Sequence, residues 1–283
     1  MRTVLKLMPL SLVLAGACYG QNAQLQGAQL PRLVRDALAA ELRAAQDGSH
    51  PMRYELRKSS PRLTTTKEIV ETNDGGVAML LTVDGKPPSD PDQRKEQARL
   101  DQLLADPGKQ RHRKQQEDGD RARAFKVLGV LPSAFLYRDA GVVATGTGYA
   151  ERFVFVPNPA FNPPDLETEV LTAMNGEIWI DPAKVRVVRL QAQLQRDVEF
   201  GWGVLGRLYK GGWITIDQAE VGDGVWRVVN FQMSMSARVL IRTKNFQTTE
   251  HESHYEPVPT GMDYTQGIAM LRSMATGAAA QGR

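Results

Sequence analysis

The chain has 283 residues, 24% charged and 42% hydrophobic, with 25 glycines, 16 prolines and a single cysteine. This composition excludes collagen-like and wholly disordered chains, and one thiol excludes a disulfide framework and every multi-cysteine metal cluster. The formal charge of +3 falls to +1 if Arg2 and Lys6 leave with a cleaved N-terminus, too little for a general nucleic-acid binder.

Those two cations precede a short apolar run, Leu10 to Ala17, which polar residues follow at once. The run is half the length a membrane-spanning helix needs and predicts a signal peptide over residues 1–20, with Ala15-Gly16-Ala17 or Gly20 at the cleavage point. The expected location is outside the cytoplasm: periplasmic, outer-membrane-associated or secreted. Cys18 stands at the processing boundary and has two fates, removal with the leader or lipidation. Lipidation at Cys18 is the one membrane attachment read from the sequence. Residues 21–29 are Gly- and Gln-rich and read as a linker.

From Leu30 the apolar residues recur at three- and four-residue steps through Leu33, Val34, Leu38 and Leu42, predicting a helix over 31–46 that Asp47-Gly48 ends. The period then changes to two. Met52, Tyr54 and Leu56 alternate with charged residues as a half-buried strand, and strands over 63–72 and 77–83 flank a hairpin turn at Asn73-Asp74-Gly75-Gly76. Residues 91–131 are dense in charge with sparse leucines. Asp106-Pro107-Gly108 divides them into helices over 91–105 and 109–129, expected to project as an exposed polar hairpin.

Strand-like runs resume near 149 and continue at 172–180, 185–198, 212–220, 225–236 and 238–250, separated by short turns, which implies an antiparallel meander. A short helix over 263–274 and a disordered tail at 276–283 close the chain. The predicted fold is therefore α+β: a single domain over 30–275 with an N-terminal helix, an inserted helical hairpin and a C-terminal helix.

Several motifs have ordinary structural explanations. Gly201-Trp202-Gly203-Val204-Leu205-Gly206 spells a dinucleotide fingerprint, but the following residues offer no helix N-terminus for a pyrophosphate, and a bent or bulged strand is the better reading. His251 and His254 on a strand would point to opposite faces and share no metal. No catalytic residue, metal site or cofactor is predicted. The notable feature is apolar: all four tryptophans fall between 179 and 226, and Phe231, Met233 and Met235 share a strand face pliable enough for irregular apolar partners. Trp179, Trp202, Trp213, Phe231, Met233 and Met235 are the candidate lining of an apolar-ligand site.

The leader with Leu12-Val13-Leu14-Ala15-Gly16-Ala17, the helix over 31–46, the strand over 52–57, and Glu177-Ile178-Trp179-Ile180-Asp181-Pro182 running into Val187-Val188-Arg189-Leu190 together resemble the bacterial lipoprotein-carrier (LolA/LolB-like) superfamily. The resemblance implies a strongly curved antiparallel sheet, an unclosed barrel whose apolar concave side binds acyl chains beneath helices. The expected function is an exported, non-enzymatic protein that binds a lipid or other apolar ligand, a carrier at the cell envelope. The alternative is a structural or protein-interaction module of the envelope that engages its partner through the 91–131 hairpin. A hydrolase-like enzyme ranks third, since polar residues abound but no nucleophile elbow or phosphate loop occurs.

Overall fold

The computed structural model describes residues 30–200, 206–239 and 242–281, so the predicted leader, Cys18, the linker and Trp202 lie outside the described residues. Helix α1 (Arg32–Gln46) turns Val34, Ala37, Leu38 and Glu41 to one buried face. Strands β1 (Met52–Ser59), β2 (Thr64–Val70) and β3 (Val77–Val83) follow. The β2–β3 turn uses Gly75 at φ +93°, a conformation that glycine adopts without a Cβ penalty.

Helix α2 (Asp90–Ala105) is capped by the Ser89 hydroxyl, which accepts from the Asp92 N–H. Helix α3 (Pro107–Ala134) is capped by Asp106. Then come β4 (Phe135–Thr145), β5 (Gly148–Pro157), the single turn α4 (Leu166–Glu169) with a 3-10 turn (Val170–Ala173), β6 (Met174–Asp181) and β7 (Arg186–Leu194). The remaining elements are β8 (Val198–Phe200), β9 (Gly206–Leu208), β10 (Trp213–Gly222), β11 (Val225–Val239), β12 (Arg242–Pro257) and α5 (Tyr264–Gln281).

All the strands join one antiparallel, unclosed sheet in the order β3-β2-β1-β12-β11-β10-β7-β6-β5-β4, with β9 pairing the end of β11 and β8 pairing β9. Strand β1 pairs with β12, so the two ends of the chain meet in the middle of the sheet. On one side, termed the concave side, α1 and the last turns of α3 cover β4–β7, where Ala134, Phe135, Phe153, Phe155, Ile178, Ile180 and Leu194 form the larger core. On the opposite side, α5 and α2 cover β2 and β3, where Val70, Val77, Met79, Leu100, Leu103, Ile268 and Leu271 form a second core.

The polar segment is not a projecting hairpin. Strands β3 and β4 are consecutive in sequence yet stand at the two outer edges of the sheet, so the chain must cross its whole width between them. Helix α2 stays with β3: its Leu100 and Leu103 are buried in the second core, and Asp101 pairs with Arg272 of α5 at 2.6 Å. Helix α3, about 42 Å long at 1.5 Å per residue, makes this crossing. It begins at the β2–β3 turn, where Gln110 donates to the Asp74 carbonyl and Glu117 accepts from the Gly76 N–H, and ends against the larger core at Leu131. Its polarity belongs to a strap whose middle is wet on every side: residues 120–124 are all exposed.

Two further expectations are corrected. Strand β4 has no counterpart in the sequence reading, because Arg138-Asp139 and a register shift between Asp139 and Val142 hide its alternation. The chain from Ala275 is not a loose tail from the outset, for α5 continues to Gln281 through Ala-rich sequence of high helix propensity.

Candidate functional site

Cross-strand register fixes which side chains share the concave face. Ile178, Leu190, Ile216 and Phe231 stand in one row across β6, β7, β10 and β11. Gly176, Ala192, Ile214 and Met233 form the next row, and Met235 lies beyond Met233 on the same side. Leu190, Ile214 and Met235 pack against the larger core. Ile216, Phe231 and Met233 belong to neither core and are half-buried, forming an apolar floor beside the larger core. Phe246, opposite Met235, remains 43% exposed.

The structure therefore brings Phe231, Met233 and Met235 together and places two candidate tryptophans elsewhere. Trp179 and Trp213 occupy alternate positions and face the convex side. The Trp179 indole N–H donates to Glu177 at 2.9 Å, and the Arg189 guanidinium lies 4.9 Å over the ring while pairing with Asp217 at 2.5 Å. Trp213 stands between Gln193 and Ser234 and is 37% exposed. Both are removed from the concave lining, and Trp202 is outside the described residues. Leu190, Ile214 and Ile216 join the lining instead. The alternation Ile214-x-Ile216 carries that signal in the sequence.

At the other end of the floor the apolar surface gives way to a polar cluster. The Tyr54 and Tyr255 rings stack with centroids 5.0 Å apart, and the Tyr255 hydroxyl donates to Glu252. In regular β-structure, residues 252 and 255 would face opposite sides. A register shift opposite Arg53/Glu55, with His254 at φ +56°, inserts a bulge that turns Tyr255 back to Glu252's side. The same bulge sets His254 against Glu55 at 3.4 Å, on the convex side that carries His251, so the expected opposition of the two histidines does not hold. Among the described residues no three His, Cys, Asp or Glu side chains gather as a metal site.

Burial pushes the Glu252 carboxyl up to about 6, reinforced by Glu250 and Glu71 and opposed by the Tyr255 hydrogen bond and Arg227. Burial also raises both tyrosine hydroxyls, so they stay protonated donors at neutral pH. A carboxyl raised in the folded state binds its proton more tightly there than in the unfolded chain. Its effect on stability is absent while both states are protonated, and the penalty grows as pH rises from the ordinary carboxylate range through about 6. Glu252→Gln keeps an acceptor for Tyr255 and removes that penalty. The variant is expected to gain about 1–2 kcal/mol at neutral pH and nothing in acid, read as a flattened dependence of the urea midpoint on pH.

No family model matches the chain, and no curated protein matches its sequence. Solved structures similar to it include a Vibrio parahaemolyticus domain assigned to outer membrane lipoprotein sorting, at 10% identity and TM-score 0.33, covering 83% of this chain and 97% of that one. Another is MucB in complex with MucA(peri), at 10% identity and TM-score 0.23, covering 81% and 98%.

Proposed function

We propose that the chain is a non-enzymatic carrier of the cell envelope that holds a lipid or other apolar ligand on its concave floor. The observation that carries this reading is the unfinished packing of Ile216, Phe231 and Met233. They line the same side as the larger core, belong to neither core, and remain only half-buried. Burying such a surface against an acyl chain supplies about 25 cal/mol for each Å² removed from water, and methionine adapts to an irregular tail. The bent Tyr54–Tyr255–Glu252 end offers hydrogen-bonding groups where a ligand's polar end would stop.

The alternative, an interaction module, would use the exposed middle of α3, residues 120–124, rather than a projecting arm, since residues 91–131 link the two edges of the sheet. The hydrolase reading gains little from the carboxylates near the floor, because each has a structural donor: Glu252 accepts from Tyr255, Glu250 pairs with Lys58, and Glu71 accepts from the Met52 N–H.

Native mass spectrometry of gently purified protein, followed by titration with a fluorescent fatty acid, tests the proposal. Co-purified ligand or probe binding is expected, weakened about tenfold or more by Phe231→Asp or Met233→Asp, with thermal unfolding still cooperative. A ligand-free protein that ignores the probe sinks it.

A further inference from the structure

One end of the sheet carries a charge imbalance that folding and the apolar floor leave unexplained. Around the β8–β9 hairpin and the adjoining ends of β7, β11 and β12 stand Arg196, Arg207, Lys210, Arg238, Arg242 and Lys244. Among the described residues of these segments only Asp197 and Glu199 are acidic, and both are engaged by Arg207. The resulting +4 exceeds the formal +3 of the whole chain, so the remainder of the molecule is net negative.

The imbalance is built into the register. Arg238 stands directly opposite Arg207 on the neighbouring strand, a like-charge pairing that destabilises a sheet. Among the described residues, Arg238 has no carboxylate partner, and its buried Nε has no hydrogen-bond acceptor. Arg242 and Lys244 are exposed and unpaired among the described residues, on a strand end that continues past the last β10 pairing at Trp213. Half-buried and exposed cations that the fold leaves uncompensated complement an extended anionic surface better than a compact internal ion pair.

This end also receives the apolar floor. The track Phe231, Met233, Met235 leads along β11 to Ala237, whose cross-strand partner is Lys244, and exposed Phe246 lies one step inside that lysine. A flat surface of negative charge over an apolar interior would satisfy both features at once.

We propose that this basic end docks the protein on an anionic phospholipid bilayer, with the concave floor opening toward it. The docking claim stands on the charges alone; only its purpose, transfer of an apolar ligand, rests on the proposed function. Each basic side chain near an anionic membrane strengthens partitioning about fivefold at low ionic strength, and salt screens the effect within a Debye length.

Flotation of the whole chain with phosphatidylcholine–phosphatidylglycerol vesicles, beside pure phosphatidylcholine vesicles, tests the proposal. Binding to the mixed vesicles alone is expected, declining as salt rises. The exposed pair Arg242→Gln/Lys244→Gln should bind about 25-fold more weakly, and adding Arg238→Gln about 100-fold more weakly, without loss of folded circular dichroism. Equal partitioning into neutral vesicles, no partitioning at all, or full binding by the folded double variant overturns it. Phe231→Asp separates the two readings: it should lose the fatty-acid probe and keep vesicle binding, whereas failure of docking with intact probe binding condemns only the bilayer proposal.

Discussion

Gly176→Ala is expected to be among the most damaging single-methyl additions to this protein. Gly176 lies on β6 between Phe155 of β5 and Ala192 of β7, on the concave side. A Cβ there would meet the Gln191 carbonyl oxygen at 2.0 Å, the tip of the Phe155 ring at 2.6 Å and the Ala192 Cα at 2.9 Å. Two of those three neighbours are backbone atoms of a paired strand, so relief requires β6 and β7 to separate. Phe155 cannot swing away freely either, because it packs against Phe135 with centroids 4.5 Å apart and against Tyr137. Overpacking of a well-filled core costs about 1–3 kcal/mol, and a clash with backbone belongs at or above the upper end. A fall in melting temperature of about 6–12 °C is expected, checked by circular dichroism. Gly85→Ala serves as a contrast: its added Cβ meets nothing within 4 Å, and only the φ of +75° opposes it.

Glu41→Ala is expected to be comparably severe for an electrostatic reason. The Glu41 carboxylate, on the buried face of α1, accepts from Arg186 Nε and Nη2 at 2.9 Å each and from the Val187 N–H at 3.0 Å. Glu41 is only 7% exposed, and the Arg186 guanidinium also lies 5.4 Å over the Trp226 ring. One side chain thus fastens α1 to the start of β7 and satisfies a buried backbone donor. Its removal strands a cation that is taken out of water, which costs about 3–5 kcal/mol, far more than an exposed pair would. The double variant Glu41→Met/Arg186→Met should recover much of the loss, because apolar groups of similar volume often replace a buried pair at little cost. Thermal unfolding of the single and double variants decides the matter. Equal loss in both would show that shape, not charge, fastens α1.

These two positions illustrate what a linear reading misses. Glu41 reads as an ordinary charge on an amphipathic helix, and its partner lies 145 residues away. Gly176 reads as one of many glycines until β5 and β7 close on it. The candidate site shows the same division. The Phe231, Met233, Met235 spacing was legible because strand alternation is local and needs only the three residues themselves. The bulk of a tryptophan does not determine which face of a sheet it occupies. Trp179 and Trp213 sit on odd-numbered positions whose partners Arg189, Gln193 and Ser234 belong to the wet side, and that partnership exists only in the paired sheet. The Glu252–Tyr255 contact was hidden because it requires a bulge, which breaks the very alternation used to find faces.

By itself the sequence determined the helix of Arg32–Gln46, most of the strands, the turn at Gly75 and the antiparallel class, since each depends on periodicity and turn chemistry within about ten residues. Only the tertiary structure decided that β3 and β4 stand at opposite edges, so that a charged segment becomes a strap linking them. Only it decided which alternate residues face that side, and that the basic residues of distant segments gather at one end. Periodicity is a property of neighbours along the chain, whereas edges, faces and net local charge are properties of strands meeting across more than a hundred residues.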